Sequence, residues 1–551
     1  MGRRFDPITT EILWQRLIAL VDEASINLVR SSFSTAVREA NDYACVLMDA
    51  RGDAVAQASV SVPSFICTLP ISVKHFLRRF PPASLSPGDV LISNDPWMCN
   101  GHLPDVNLAA PIFMGRRLVG FAGAGAHWPD VGGNQYSAES RSVFEEGLRI
   151  PICKIVERGR ENPVVIDFIR NNVNVPDRVL GDMRAQLAAL RAMSDGLVRL
   201  VREYRLADFG PLAAHIQQLA EAEMRREIRK IPNGRYQGSV ETDGFDAPLR
   251  LVATVAVEGA KLMVDYTGTS PQTERGLNSV PNFTYAYTAY TLKCLLAPHT
   301  PNNEGSFRPI SVTAPLGSVL NPRFPAPVNG RTMSGHFLHA PIFKALAAVL
   351  PDRVMGESGG CPIWGPMWAG THRGERFTHL HSANGGLGAS VSRDGVSCLP
   401  FPSNVPNTPV EITEAAAPLL VECKALRQDS AGAGEYRGGL GQVVAIRVTA
   451  AQPVTAALRC DRTRRPAEGL HGGQPGATGR VLINGAVNAD PKAKMRLQPG
   501  DVLTMETPGG GGFGDPRKRD RGAVEADLRN GLISESAARD IYGLAASPGD
   551  P

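Results

Sequence analysis

Cys99-Asn100-Gly101-His102-Leu103-Pro104-Asp105, an apolar run, and then Ala126-His127-Trp128-Pro129-Asp130-Val131-Gly132-Gly133 form the stretch that decides how this chain is read. Residues 106–113 have the character of a strand. Gly115-Arg116-Arg117 is a turn, and residues 118–125 return, so the stretch predicts an antiparallel hairpin. Antiparallel pairing brings the outer ends together, so His102 and Asp105 are expected close to His127. Imidazole with carboxylate suits a reactive Zn²⁺, Mn²⁺ or Fe²⁺ better than a closed structural site, which usually uses thiolates. The same residues also fit a polar loop at the mouth of a sheet. Asp130 either orients His127 through its second ring nitrogen or caps the turn before Gly132-Gly133. Cys99 is either a soft extra ligand or a small buried residue.

Outward from the hairpin, Leu13, Leu17, Leu20, Ala24 and Leu28 give a first helix one apolar face over about 9–31, with a threonine as its cap. Strands are expected at 44–48, 55–57 and 90–92, and one or two helical turns at 73–80. Two further helices cover about 178–204, interrupted near Ser194-Asp195-Gly196, and 212–230, stopped by Pro232-Asn233-Gly234. Beyond that point alternation dominates, as in residues 251–257, and turns punctuate the chain around a helical segment at 340–350. Strands follow at 443–448, 481–483 and 502–505, and short helices at 523–529 and 535–542, the latter capped by Ser534. The expected architecture is mixed α/β (α+β) and multidomain. It comprises a metal-bearing N-terminal region at 1–232, a strand-rich domain at 233–425, a glycine-rich β domain at 426–516 and a helical tail at 517–551.

The 551 residues carry a formal charge of only +4 and an ordinary 43% of hydrophobic residues, which gives nucleic-acid binding no support. The densest basic patches, 459–465 and 517–521, contain acidic residues and read as short solvated turns. The nine cysteines form no CxxC pair and are odd in number, which points to a reducing compartment. The start, Met1-Gly2-Arg3-Arg4-Phe5-Asp6-Pro7, leads straight into the helix signal without an export segment. No continuously apolar stretch reaches the roughly 18 residues of a membrane span, so the expected setting is cytoplasmic. Gly509-Gly510-Gly511-Gly512-Phe513-Gly514 lacks the lysine and serine or threonine of a phosphate loop, and no dinucleotide fingerprint occurs. Tight turns and close backbone approach account for such runs.

The order of several segments resembles the B-type subunit of the hydantoinase/oxoprolinase family over nearly the whole length. They include Asp6-Pro7-Ile8-Thr9, Arg38-Glu39-Ala40-Asn41-Asp42-Tyr43, Asn94-Asp95-Pro96, His102-Leu103-Pro104-Asp105 and Asp130-Val131-Gly132-Gly133. Later ones are Glu146-Gly147-Leu148-Arg149-Ile150-Pro151, Asn302-Asn303-Glu304-Gly305, Arg437-Gly438-Gly439-Leu440-Gly441 and the run at 509–516. The resemblance implies an A-type partner subunit that binds ATP with Mg²⁺, with further subunits in some complexes. It implies either ring opening of a phosphorylated lactam or hydantoin, or ATP-dependent carboxylation of a ketone through an enol phosphate. It also implies that Asp42 joins His102, Asp105 and His127 as ligands of one divalent ion, Zn²⁺ first and Mn²⁺ or Fe²⁺ second.

The chain departs from the hydrolytic members. Phe65 stands where a histidine is usual, Cys99-Asn100-Gly101 replaces Gly-Gly-Thr, and Trp128-Pro129 follows His127. An aromatic wall of Phe65 and Trp128 near the ion would suit an aromatic ketone, so the leading expectation is a subunit of an acetophenone-type carboxylase using bicarbonate. The alternatives are hydrolysis of a small cyclic amide, with Glu146 as the base candidate, and a non-catalytic scaffold with a structural metal. Arg149 is a candidate for phosphate or carboxylate binding or for an internal ion pair. His379 and His381, two apart in a strand, are candidates for a shared pocket role or for a polar strand end.

Overall fold

The computed structural model describes residues 6–134, 136–488 and 490–544. Residues 1–5, the greater part of the start read for an export segment, and 545–551 of the tail lie outside the described residues. The architecture is mixed α/β and multidomain, as expected.

The N-terminal part is built on an antiparallel seven-stranded sheet. Its strands are β1 (Tyr43–Asp49), β2 (Ala54–Gln57), β3 (Val90–Ser93), β4 (Asp105–Met114), β5 (Arg117–His127), β6 (Cys153–Glu157) and β7 (Arg160–Glu161), in the order β2-β1-β5-β4-β3-β6-β7. Both faces are covered. Tyr43, Cys45 and Leu47 of β1 join one apolar core, and Ala44, Val46 and Met48 join another. Double coverage explains why β1 reads as a continuous apolar run, without alternation.

The first helix, α1 (Pro7–Ser31), and α5 (Pro176–Glu203) pack together over the face of β1, β4 and β5. The cap of α1 is Asp6, whose carboxylate accepts from the Thr9 N–H at 2.9 Å, not a threonine. The carboxylate is the better acceptor for the first-turn donors. The expected break in α5 is absent. Gly196 faces the Leu20 side chain of α1 so closely that a Cβ would displace it, and the Ser194 hydroxyl donates to Leu190 O at 2.7 Å within the helix. The glycine thus serves helix contact rather than interruption. A short α2 (Thr35–Arg38) leads into β1, and α3 (Thr68–Arg79) covers the opposite face. The longest helices not expected from the sequence are α4 (Pro163–Asn172) and α7 (Pro281–Leu296). Between them lies α6 (Gly210–Ile228).

A second sheet holds β8 (Gly234–Thr242), β9 (Leu249–Glu258), β10 (Lys261–Asp265) and β11 (Ile310–Thr313). It is antiparallel except for the parallel pair β10–β11. The first core runs on through this sheet and α7, from Leu13 to Cys361. A further core, from Trp364 to Met505, fills the space between two later sheets. One contains Met367–His372, Glu375–Leu380, Val454–Ala457 and Lys494–Leu497. The other contains Leu419–Leu426, Gln442–Val448, Arg480–Ile483, Ala486–Val487 and Val502–Glu506.

The glycine runs meet in one layer beside these sheets. The N–H groups of Gly509, Gly510, Gly511 and Gly512 donate to the carbonyls of Ala477, Gly439, Glu357 and Gln474. A Cβ on Gly509 would overlap Ser430 O, and one on Gly510 would overlap Leu387 O. With every donor taken by neighbouring backbone, the run has none left for a phosphate, which agrees with the reading as close backbone approach.

Candidate metal centre

Strand alternation brings the candidate ligands together. Asp105 pairs with His127 in the β4–β5 register, and Tyr43 pairs with Ala126 in the β1–β5 register, which sets Asp42 beside His127. The ladder continues there, because the His127 N–H donates to Asp42 O at 2.9 Å. Asp42, Asp105 and His127 therefore project from one face at one end of the sheet. Asn41, in the left-handed region at φ 53°, turns the chain from α2 into β1; asparagine is among the residues that tolerate this. His102 enters from the loop before β4, after Gly101 at φ 98°. A Cβ on Gly101 would come within 2.9 Å of Arg331 Cδ, so the glycine lets that arginine approach.

The donor atoms converge. His102 Nε2 lies 2.7 Å and His127 Nδ1 2.9 Å from Asp105 Oδ1, and Asp42 Oδ2 lies 3.5 Å from His127 Nδ1. Tetrahedral bonds of about 2.0–2.1 Å leave donor atoms roughly 3.3 Å apart, and the His102, Asp105 and His127 donors lie close enough together for one divalent ion. Protonation states fit too. Burial and then the Arg331 charge hold His102 neutral, down at about 3. Burial pushes the Asp105 carboxyl up, but His102 and Arg331 outweigh it and keep it ionised. Neutral imidazole and carboxylate are the ligand forms. Among the described residues the cluster His102, Asp105, His127 can hold a divalent metal.

The remaining residues singled out from the sequence have other surroundings. Trp128 is wholly buried in the first core and donates from Nε1 to Gln186 Oε1 at 2.9 Å. Phe65 is wholly buried beneath β5, where the missing Cβ of Gly125 makes room for its ring. The expected aromatic wall is therefore corrected: neither ring lines the cavity. Asp130 accepts from Gly132 N, Asn174 N and Nδ2, and Val175 N, and so organises the turn rather than His127. Cys99 is a buried thiol donating to Ser93 O. Arg149 pairs with Asp95 at 2.8 Å and lies over Phe324. His379 and His381 share the Thr413 hydroxyl, at 3.3 and 3.0 Å, while Leu380 between them faces the cavity.

A profile of the Hydantoinase B/oxoprolinase family matches residues 6–516. The chain belongs to this family. A Pseudomonas sp. (strain NS671) protein assigned as the B component of a D-/L-hydantoinase is 30% identical, over 98% of this chain and 95% of its own length. The beta component of the Pseudomonas jessenii caprolactamase is 28% identical, over 98% and 96%. The crystal structure of the ATP-dependent caprolactamase from P. jessenii superposes with a TM-score of 0.93 at 26% identity, covering 99% of this chain and 97% of that one. A nucleotide-free acetone carboxylase structure gives 0.91 at 19% identity, covering 99% and 80%, which is a likeness of fold. End-to-end similarity to catalytic members of the hydantoinase B/oxoprolinase family makes this chain an enzyme chain.

Sequence reading missed the arginines of this family member's site. Arg331, just before the short helix Thr332–Gly335, places Nη2 2.6 Å from Asp105 Oδ2. Arg459 donates to Asn329 O at 3.1 Å. Both guanidiniums are buried and line a cavity of about 60 Å³ with Asp42, His102, Tyr136 and His336. The expectation of a solvated turn at 459–465 is thereby corrected, since Arg462 is also buried, paired with Glu357 at 2.9 Å. The patch at 517–521 is corrected at Arg519, buried against Asp394 and Asp527. An isolated charge was the available signal: Arg331 is the sole Asp, Glu, Lys or Arg in residues 324–343.

Glu146 stands one step back from the ligands. Its Oε1 accepts the N–H groups of Val328 and Asn329 at 2.7 and 2.8 Å, and Asn329 O lies 3.5 Å from His102 Nδ1. Burial pushes its carboxyl up to about 8, against those two N–H groups and Arg331. Between the ordinary 4.5 and about 8 the folded chain holds a proton that the unfolded chain releases. Stability contributed at this position therefore falls as pH rises through that window. Glu146→Gln keeps the acceptor oxygen and is expected to hold turnover within about threefold at pH 7, where a lost general base would cost roughly 100- to 10,000-fold. Thermal melts at pH 6 and 8.5 should show a smaller pH loss for the variant than for the parent chain.

Proposed function

We propose that the chain is the B-type subunit of an ATP-dependent cyclic-amide hydrolase, acting on a hydantoin- or lactam-type ring. The observation that carries this reading is the carboxylate–imidazole cluster in a chain matched end to end by the caprolactamase and hydantoinase chains. It displaces ketone carboxylation as the leading expectation. The carboxylase likeness is one of fold, and the aromatic rings invoked for an aryl ketone are in the core.

Asp42, His102, Asp105 and His127 would hold the ion, Zn²⁺ first and Mn²⁺ or Fe²⁺ second. It would supply a polarised carbonyl and a water of lowered pKa. The protein's own contribution is positional. Arg331 fixes the second oxygen of Asp105, and Glu146, through Asn329, braces the loop facing His102. Val62, Phe283, Ile363 and Leu380 line the cavity with apolar surface and restrict water. ATP and Mg²⁺ belong to an A-type partner, consistent with the fully bonded glycine run here. Nine unpaired cysteines favour a reducing, cytoplasmic setting. Among the described residues no helix is long and apolar enough to cross a membrane.

The test is the complex with its partner, given ATP and either hydantoin, 5-oxoproline or caprolactam, with ring-opened product measured. Ring opening of at least one of these, independent of bicarbonate, is expected. Turnover that requires bicarbonate and a ketone would reverse the reading.

A further inference from the structure

We propose that Arg331 and Arg459 form an oxyanion subsite that takes the phosphoryl group of an activated amide, an assignment that rests on the amide-hydrolase reading above. The first support is unmet bonding. Arg331 Nε and Nη1 are buried without a hydrogen-bond partner among the described residues. Buried donors are rarely left unpaired in folded proteins, so acceptors are required from whatever enters. The second support is rigidity. The Arg331 guanidinium lies 4.3 Å over the Phe283 ring, and that of Arg459 lies 3.9 Å over Tyr136. Stacked planes hold their forks of donors in place before a ligand arrives. Tyr136 itself sits at φ 64°, a conformation that costs free energy for a bulky residue and is kept where surroundings enforce it.

Charge selects the ligand. Arg331 and Arg459 bring two guanidiniums into one cavity, whose wall also holds Asp42 and His102. A phosphoryl group brings two negative charges and three acceptor oxygens, enough for the two unpaired Arg331 nitrogens and the Arg459 guanidinium. A carboxylate brings one charge and two oxygens. The two arginines line the same cavity as Asp42 and His102, and Arg331 bonds Asp105 directly. An anion held by the guanidiniums would keep the carbonyl end of the same molecule beside the ligands.

The probe is inorganic phosphate, titrated by calorimetry into the purified full chain, both metal-loaded and chelator-treated, with acetate as the carboxylate arm. Saturable phosphate binding is expected in both forms, about tenfold or more tighter than acetate. Arg459→Gln should weaken phosphate about tenfold or more in both forms and leave the metal content of the loaded chain unchanged. Arg459→Lys, which keeps the charge if the glutamine variant folds poorly, should weaken it by a smaller factor because an ammonium lacks the fork. Equal phosphate affinity in the parent and lysine chains, phosphate binding that disappears with the metal, or acetate binding as tight as phosphate would each overturn the subsite. Ring opening is assayed separately. Its absence alongside arginine-dependent phosphate binding would remove the hydrolase reading and leave the oxyanion subsite standing.

Discussion

His127→Ala is expected to empty the metal centre and abolish turnover together, with the fold kept. His127 supplies one of the converging donor atoms, and among the described residues the Asp105 oxygen it faces at 2.9 Å has His102 as its one further imidazole. Losing an imidazole from so small a set removes the geometry that a divalent ion needs. Loss of the several kcal/mol such an ion contributes at a carbonyl corresponds to a fall in kcat/KM of at least about a thousandfold. The fold should persist, because the backbone ladders between β4, β5 and β1 run the length of those strands and the His127 N–H still reaches Asp42 O. Elemental analysis should find one ion per parent chain and a small fraction of one in the variant, with unchanged circular dichroism. A variant that keeps both metal and turnover would make the cluster structural or incidental.

Gly509→Ala is expected to cost the chain its folded state. The added methyl would overlap the Ser430 carbonyl, and the obstacle is backbone, which cannot rotate aside. The Gly509 N–H is bonded to Ala477 O, and neighbouring Gly510 and Gly511 are bonded to Gly439 and Glu357. Displacing one segment therefore disturbs several. Overpacking of this kind should cost about 4 kcal/mol or more, read as loss of soluble protein or a large fall in unfolding temperature. Gly485→Ala is the control: Gly485 has open space around it, so only its positive φ of 82° is strained, and a cost near 1 kcal/mol is expected. Equal behaviour of the two variants would refute a packing role for the layer.

The hairpin was legible because two apolar runs of strand length flank a glycine turn. That was enough to bring His102, Asp105 and His127 together. Adjacency in sequence misled at Trp128. Successive strand residues face opposite ways, so the neighbour of a site residue points into the core. The helix α7 was hidden by its composition, Thr284-Tyr285-Ala286-Tyr287-Thr288. Such residues are strand-prone, and burial around much of the helix removes the one-sided apolar pattern that reveals a helix. Arg331 and Arg459 were illegible for another reason. They reach the site from more than 200 residues beyond β5, through contacts that no local pattern encodes. Asp42 came from family resemblance, since an aspartate after Asn41 carries no spacing signal of its own.

The glycine layer has a consequence for temperature. It is held by backbone hydrogen bonds and contains few side chains to bury, whereas the sheets beside it are held by apolar cores. Exposure of apolar surface raises the heat capacity on unfolding, and exposure of peptide groups lowers it. The two parts therefore respond differently to cooling: the apolar cores lose driving force, while the hydrogen-bonded layer does not share that loss. Cold and heat should begin to loosen this chain at different places, the cores first in the cold and the layer first on warming.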